Sequence, residues 1–153
     1  MLTVRDELPC SPQAFWDLYF SEGFQERLYR QGLGFTEFEL LSHTQRGQER
    51  DQQLRLKPPG LPRIVEKAMG EPRYVETGRF DGRVWHFHMQ PGGERIRVEG
   101  RFWVDATAKG CLRTCEVKVA VQLFGVGKAV AKALEANVAD NQAKAVAFLR
   151  SQL

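Results

Sequence analysis

The stretch "CEVKVAVQLFGVGKAVAKALEANVADNQAKAVAFL", Cys115 to Leu149, changes its period half-way along. At first it alternates. Cys115, Val117, Val119, Val121 and Leu123 share one side and Glu116, Lys118 and Gln122 the other, which is the pattern of a half-buried β-strand. Beyond Gly125 and Gly127 the apolar residues recur every three or four positions: Val126, Val130, Leu134, Val138, Ala145, Phe148 and Leu149. Lys128, Lys132, Glu135, Gln142 and Arg150 fall on the opposite side, as on an amphipathic helix. The stretch therefore predicts a strand, a tight corner and a helix from about Val126 to Ser151, roughly 39 Å long at ~1.5 Å per residue. The corner "FGVGKAV" stands where a phosphate loop would. That loop needs four residues between its glycines and a hydroxyl after its lysine. Here a single residue separates Gly125 from Gly127 and Ala129 follows Lys128, so the corner is read as a turn, with anion binding at the helix N-terminus left open.

Upstream, the chain is rich in strands. Leu2, Val4 and Leu8 alternate with charged residues in a short first strand. Ser11 and Pro12 suit the cap and first position of a helix over PQAFWDLYF. Ser21 can cap a second helix, EGFQERLYRQ, which Gly32 would close. FTEFELLSHT and ERDQQLRLK follow as strands; PPGLP breaks the pattern, and RIVEKAMG reads as a short helix or turn. RYVETGRF and RVWHFHMQ flank Asp81-Gly82, a hairpin signal. ERIRVEGRFWVD alternates with Ile96, Val98, Phe102 and Val104 on one side. The fold class is α+β: a strand, two short helices, about six further antiparallel strands and a long helix, in one domain over residues 1–153. A sheet with one apolar face and a helix with one apolar stripe bury these surfaces against each other.

Within "VWHFHM", Val84 to Met89, two histidines stand two apart. Alternation places Trp85, Phe87 and Met89 on the core face and His86 with His88 on the outer face. A His-x-His pair can hold two corners of a metal site, which still needs a third ligand. His43 is distant, and no cysteine or acid stands at a ligand spacing, so the pair is read as part of a solvated face with no metal and no cofactor. No G-x-S-x-G elbow supports a serine nucleophile, and no catalytic residue is assigned.

Hydrophobic residues make up 42% and charged residues 27%, with a net charge of +3, a globular composition with too little basic bias to point to nucleic acid. No apolar run reaches the ~20 residues of a membrane helix. The N-terminus carries acids where a secretory signal has its apolar stretch, so a cytoplasmic location is expected. The three cysteines are read as reduced thiols. Cys111 and Cys115 share a strand face about 13 Å apart at ~3.3 Å per residue, too far for a disulfide.

Several polar residues fall on apolar faces. Asn137 and Asn141 lie in the helix stripe, Arg50 and Gln52 share parity with Leu54, and Glu76 shares parity with Tyr74 and Phe80. A buried amide without a partner costs about 1–3 kcal/mol. Either these groups meet in a wet or ligand-filled cavity, or each bonds locally at a sheet edge or helix end.

With this order of elements, the chain resembles the START/polyketide-cyclase-like (SRPBCC, helix-grip) superfamily. The resemblance is carried by "SPQAFWDLYFSEGF", the strand run and the closing strand and helix, and covers nearly the whole chain. Within it the chain is most similar to a bacterial family with no assigned function, through Leu61-Pro62-Arg63-Ile64-Val65 up to Gly70 and through Gly125-Val126-Gly127-Lys128. A weaker likeness links "FSEGFQERLYRQG" to eukaryotic sterol-transfer domains. The resemblance implies a curved sheet gripping the C-terminal helix, and a non-enzymatic carrier or sensor of a lipid, sterol-like or polyketide-like molecule, with room for transient membrane contact. Trp85, Phe87, Met89, Phe102, Val119, Val121, Leu134 and Val138 would line the cavity, and Asn137, Asn141, Arg50 and Glu76 would orient a polar head. A cyclase or hydrolase-like activity with Glu76 as general base is the enzymatic alternative. A pocketless interaction module using His86, His88 and the outer arginines is the third. The pattern carries no signal for oligomeric state.

Overall fold

The computed structural model describes residues 1–153. Seven strands form one antiparallel sheet: β1 (Leu2–Leu8), β2 (Glu37–Arg46), β3 (Glu49–Lys57), β4 (Tyr74–Phe80), β5 (Trp85–Met89), β6 (Ile96–Thr107) and β7 (Gly110–Val121). The order β1-β7-β6-β5-β4-β3-β2 is a meander from β2 to β7, with β1 added beside the last strand. The helices are α1 (Pro12–Tyr19), α2 (Phe24–Arg27), α3 (Arg63–Met69) and α4 (Gly127–Gln152). The curved sheet holds α4 against its apolar face, the helix-grip arrangement that the sequence implied. No helix is long and apolar enough to cross a membrane.

Local chemistry explains most boundaries. The Ser11 hydroxyl accepts from the Ala14 N–H at 3.1 Å, and Pro12 follows it at the first helical position. Asp81 builds the β4–β5 hairpin by accepting from the backbone N–H groups of Val84 and Arg83 at 2.8 and 3.0 Å. Those bonds, led by the one from Val84, hold its carboxyl below the ordinary range. Its second oxygen meets His86 Nε2 at 3.2 Å on the outer face. The expected second helix differs. Ser21 does not cap it, because its hydroxyl donates back to the Leu18 carbonyl at 2.6 Å and so closes α1. Gly23, at φ +74°, starts α2, which runs for one turn and continues as a π-helical turn over Leu28–Gly32.

The main core joins α1 and α2 to the sheet. Around Phe102 of β6, Trp16 of α1 stacks at a centroid separation of 5.6 Å, and Phe15 and Tyr19 of α1 meet it edge-on at 6.3 and 5.4 Å. A smaller cluster, Val65, Met69, Ile96, Val130 and Leu134, ties α3 to the start of α4. Cys111 and Cys115 are fully buried free thiols. Cys111 neighbours Cys10 rather than Cys115, and burial pushes its thiol up to about 12.

Two glycines on the central strands set how closely the sheet aromatics lie. A Cβ on Gly78 would fall within the Trp85 indole, and one on Gly100 within the Phe87 ring. Both rings therefore lie flat on the neighbouring strand, which keeps the concave face open. Gly78→Ala and Gly100→Ala should each lower the unfolding free energy by about 1–3 kcal/mol in urea titrations, the usual cost of overpacking. Gly60→Ala, where the added methyl meets open space, should stay within about 0.5 kcal/mol of the parent.

Candidate functional site

α4 is anchored at both ends and held loosely in the middle. Val130 and Leu134 are buried near its start, and Ala145, Val146 and Leu149 near its end. Between them Asn137, Val138, Asn141 and Gln142 are only half-buried. They roof a cavity of about 130 Å³ whose floor is the concave face of the sheet.

Of the residues singled out in the sequence, Trp85, Phe87, Met89 and Phe102 line this cavity from the sheet, and Leu134, Asn137, Val138 and Asn141 from the helix. Glu76 joins them from β4. The alternation reading of β5 holds: Trp85 is 2% exposed, while His86 is exposed on the opposite face. Three expected residues lie elsewhere. Val119 and Val121 are half-buried against the α3 cluster, Val119 also against the main core, where α3 and the first turns of α4 lie over that end of β7. Arg50 stands at the far end of β3, with its guanidinium 4.1 Å over the Phe20 ring. Gln52 is also satisfied locally, donating to Gln25 Oε1 at 2.7 Å. So two of the five polar residues on apolar faces find partners outside the cavity, and three line it.

Two polar poles differ in character. At the first, the Tyr29 hydroxyl donates to Glu76 Oε2 at 2.6 Å. Burial raises the Glu76 carboxyl to about 7, and the Tyr29 hydrogen bond opposes part of that rise. Burial, then the nearby Glu76, holds the Tyr29 and Tyr74 phenols protonated. The Asn141 amide donates to Asn137 Oδ1 at 3.4 Å on the roof. At the second pole Arg113 of β7 is 4% exposed. Its Nη2 donates to Gln142 Oε1 at 2.9 Å, and its guanidinium lies 4.5 Å over the Phe102 ring. Tyr19 lines the same cavity, and burial, then the nearby Glu76, holds its phenol protonated.

Tyr29, Arg113 and Gln142 were missed in the sequence. Arg113 had a signal, since it shares parity with Cys111, Cys115 and Val117 on the buried face of β7. Gln142 was assigned to the solvent side of the helix, yet it turns inward to meet Arg113. Tyr29 had none, because its direction depends on the π-helical turn that carries it.

The family described as "Protein of unknown function (DUF2505)" matches residues 3–152, and the chain belongs to it. No curated protein matches the chain. Among solved structures, a START superfamily protein from Mycobacterium smegmatis superposes with a TM-score of 0.66 at 18% identity, covering 99% of this chain and 97% of that one. The Zhui aromatase/cyclase from Streptomyces sp. R1128 gives 0.67 at 13% identity, covering 99% and 91%. Norcoclaurine synthase from Thalictrum flavum, in complex with dopamine and hydroxybenzaldehyde, gives 0.63 at 18% identity, covering 97% and 85%. At these identities the likeness establishes the START-like fold and nothing finer.

The Glu76 environment predicts a pH signature. The folded carboxyl, at about 7, holds its proton more tightly than the ordinary value of 4.5. Its contribution to stability is therefore fully present below about pH 4.5 and is lost as the pH rises to about 7, roughly 3 kcal/mol in all. Chemical denaturation of the parent and of Glu76→Gln across that window should show the difference: a falling curve for the parent, and for the variant a curve lacking that component.

Proposed function

We propose that this member of the DUF2505 family binds a hydrophobic small molecule in the cavity between the sheet and α4. The observation that carries the reading is the combination of a mostly apolar interior space with polar groups at its two ends. A solidly packed core would have closed over both. Volume narrows the ligand. An engineered cavity of about 150 Å³ holds one benzene, so about 130 Å³ suits a single ring or a short chain. A sterol-sized or polyketide-sized guest would need the segment from Pro58 to α3 to move outward. A ring-sized guest burying roughly 200 Å² of apolar surface gains about 5 kcal/mol gross at ~25 cal/mol per Å². That corresponds to affinity no better than about 0.2 mM unless the polar poles add to it.

A second reading, general acid–base chemistry of the cyclase or hydrolase type, is favoured by one observation. Glu76 is buried, hydrogen-bonded to Tyr29 and titrates near neutrality, where a carboxyl can both take and return a proton. The presence of a cavity weighs against the pocketless interaction module. On the outer face, moreover, Arg101 pairs with Glu116 and Arg83 with Asp105.

Transient membrane contact belongs to the same proposal. Phe124 is fully exposed at the β7–α4 corner, next to the exposed Val126 and Lys128. Val126 and Ile64 share one surface groove there with Lys57, Arg63, Lys67 and Glu66, an apolar edge with a net positive rim that suits an anionic bilayer surface.

Native mass spectrometry of the protein mixed with single-ring probes at about 1 mM, above the affinity limit of about 0.2 mM, should show a one-to-one adduct. Val138→Trp, which fills the roof, should remove the adduct and weaken binding of single-ring probes at least tenfold while the melting temperature holds or rises. A filled variant that still binds them as the parent does would remove the cavity from consideration. Phe124→Ser should slow ligand transfer from anionic vesicles and leave the equilibrium affinity unchanged.

A further inference from the structure

Arg113 is the cavity's one cation, and it is incompletely paired. Its Nε and Nη1 are buried and meet no hydrogen-bond partner. Its single side-chain bond goes from Nη2 to Gln142, a neutral acceptor. A guanidinium carries five N–H donors and does not give up its proton in a protein, so it cannot relieve its burial by becoming neutral. Gln142 occupies one of the two Nη2 protons and the Cys115 thiol lies beside the group, which leaves the guanidinium with more donors than acceptors. One face of the group is covered by Phe102. Asp6 stands directly opposite in the β1–β7 register but forms no ion pair with Arg113, and its own Oδ2 is buried without a partner.

We propose that the ligand of this cavity carries a carboxylate, which settles at the Arg113 end and completes the pairing of the guanidinium. The inference rests on the cavity reading above and sharpens it to a class: small carboxylic acids whose apolar part is one ring or a short chain. A carboxylate beside a guanidinium makes charge-assisted hydrogen bonds, roughly twice as strong as neutral ones. Gln142 holds the guanidinium in place, and the ring of the ligand lies among Trp85, Phe87 and Phe102. Charge also orients the guest. Glu76 stands at the other pole, so a carboxylate placed there would meet an acid that ionises as the pH rises, whereas at Arg113 it meets its counter-charge.

The test uses two matched probe pairs, phenylacetate with phenylacetamide and hexanoate with hexanamide, titrated by calorimetry at pH 6. The parent protein should bind each acid at least tenfold more tightly than its amide. Arg113→Met, a swap of similar volume that a buried ion site commonly tolerates, should bring acid and amide within about twofold of each other and leave amide binding as in the parent. Arg113→Lys, which keeps the charge and loses the planar donor array, should retain part of the preference. Asp6→Asn should leave the preference in place or enlarge it. Equal binding of acid and amide by the parent, or an acid preference that survives Arg113→Met, overturns the carboxylate assignment and leaves the cavity reading intact. Binding of neither probe overturns both.

Discussion

The contact on which the structure depends is the burial of the two ends of α4 against the concave face of the sheet. Val130 and Leu134 lock one end through α3 and β6, and Ala145, Val146 and Leu149 lock the other. A helix fixed at two points cannot sink into the sheet between them. The middle turn carries Asn137, Asn141 and Gln142, whose amides lose water bonds when buried without partners. The helix therefore bridges, and the space beneath its middle turn is the cavity. Curvature of the sheet supplies the other wall. It is permitted where Gly78 and Gly100 let Trp85 and Phe87 lie flat instead of standing into the interior.

The cavity sets stability against function in concrete groups. Glu76 prefers its neutral form because desolvation outweighs the help it receives from Tyr29. Arg113 has no neutral form, so its charge stays in the interior with one amide acceptor and one aromatic face for company. Replacing either group by an apolar residue of similar size would be expected to relieve the folded state. A chain that retains both holds polar chemistry in an apolar space at a cost to folding, the usual mark of a site rather than of a core. The two poles also give the space a direction, since one end is acidic or neutral according to pH and the other is permanently cationic.

Much of this was legible along the chain because it follows from period and parity. The alternation of β5 put Trp85 inward and His86 outward, and the stripe of α4 put Asn137 and Asn141 beside Leu134. The failures share a cause. Val119 and Val121 carry the right parity for the concave face, yet parity does not say what covers a strand at each point along its length, and α3 covers them. Arg50 likewise faces inward, but at a height on β3 that the cavity does not reach. Gln142 sits at the boundary of the helix stripe, where a small rotation decides between solvent and interior.

The amino-acid sequence by itself determined the order of the elements, the faces they present and the helix-grip arrangement, because those depend on side-chain spacing and on turn residues acting within a few positions. Only the tertiary structure decided which inward-facing polar groups share one space. That choice depends on register between strands distant in sequence, on the π-helical turn that aims Tyr29 at Glu76, and on the alignment of α4 that sets Gln142 against Arg113. These are sums of many weak contacts over the whole core, and no short stretch of the chain contains them.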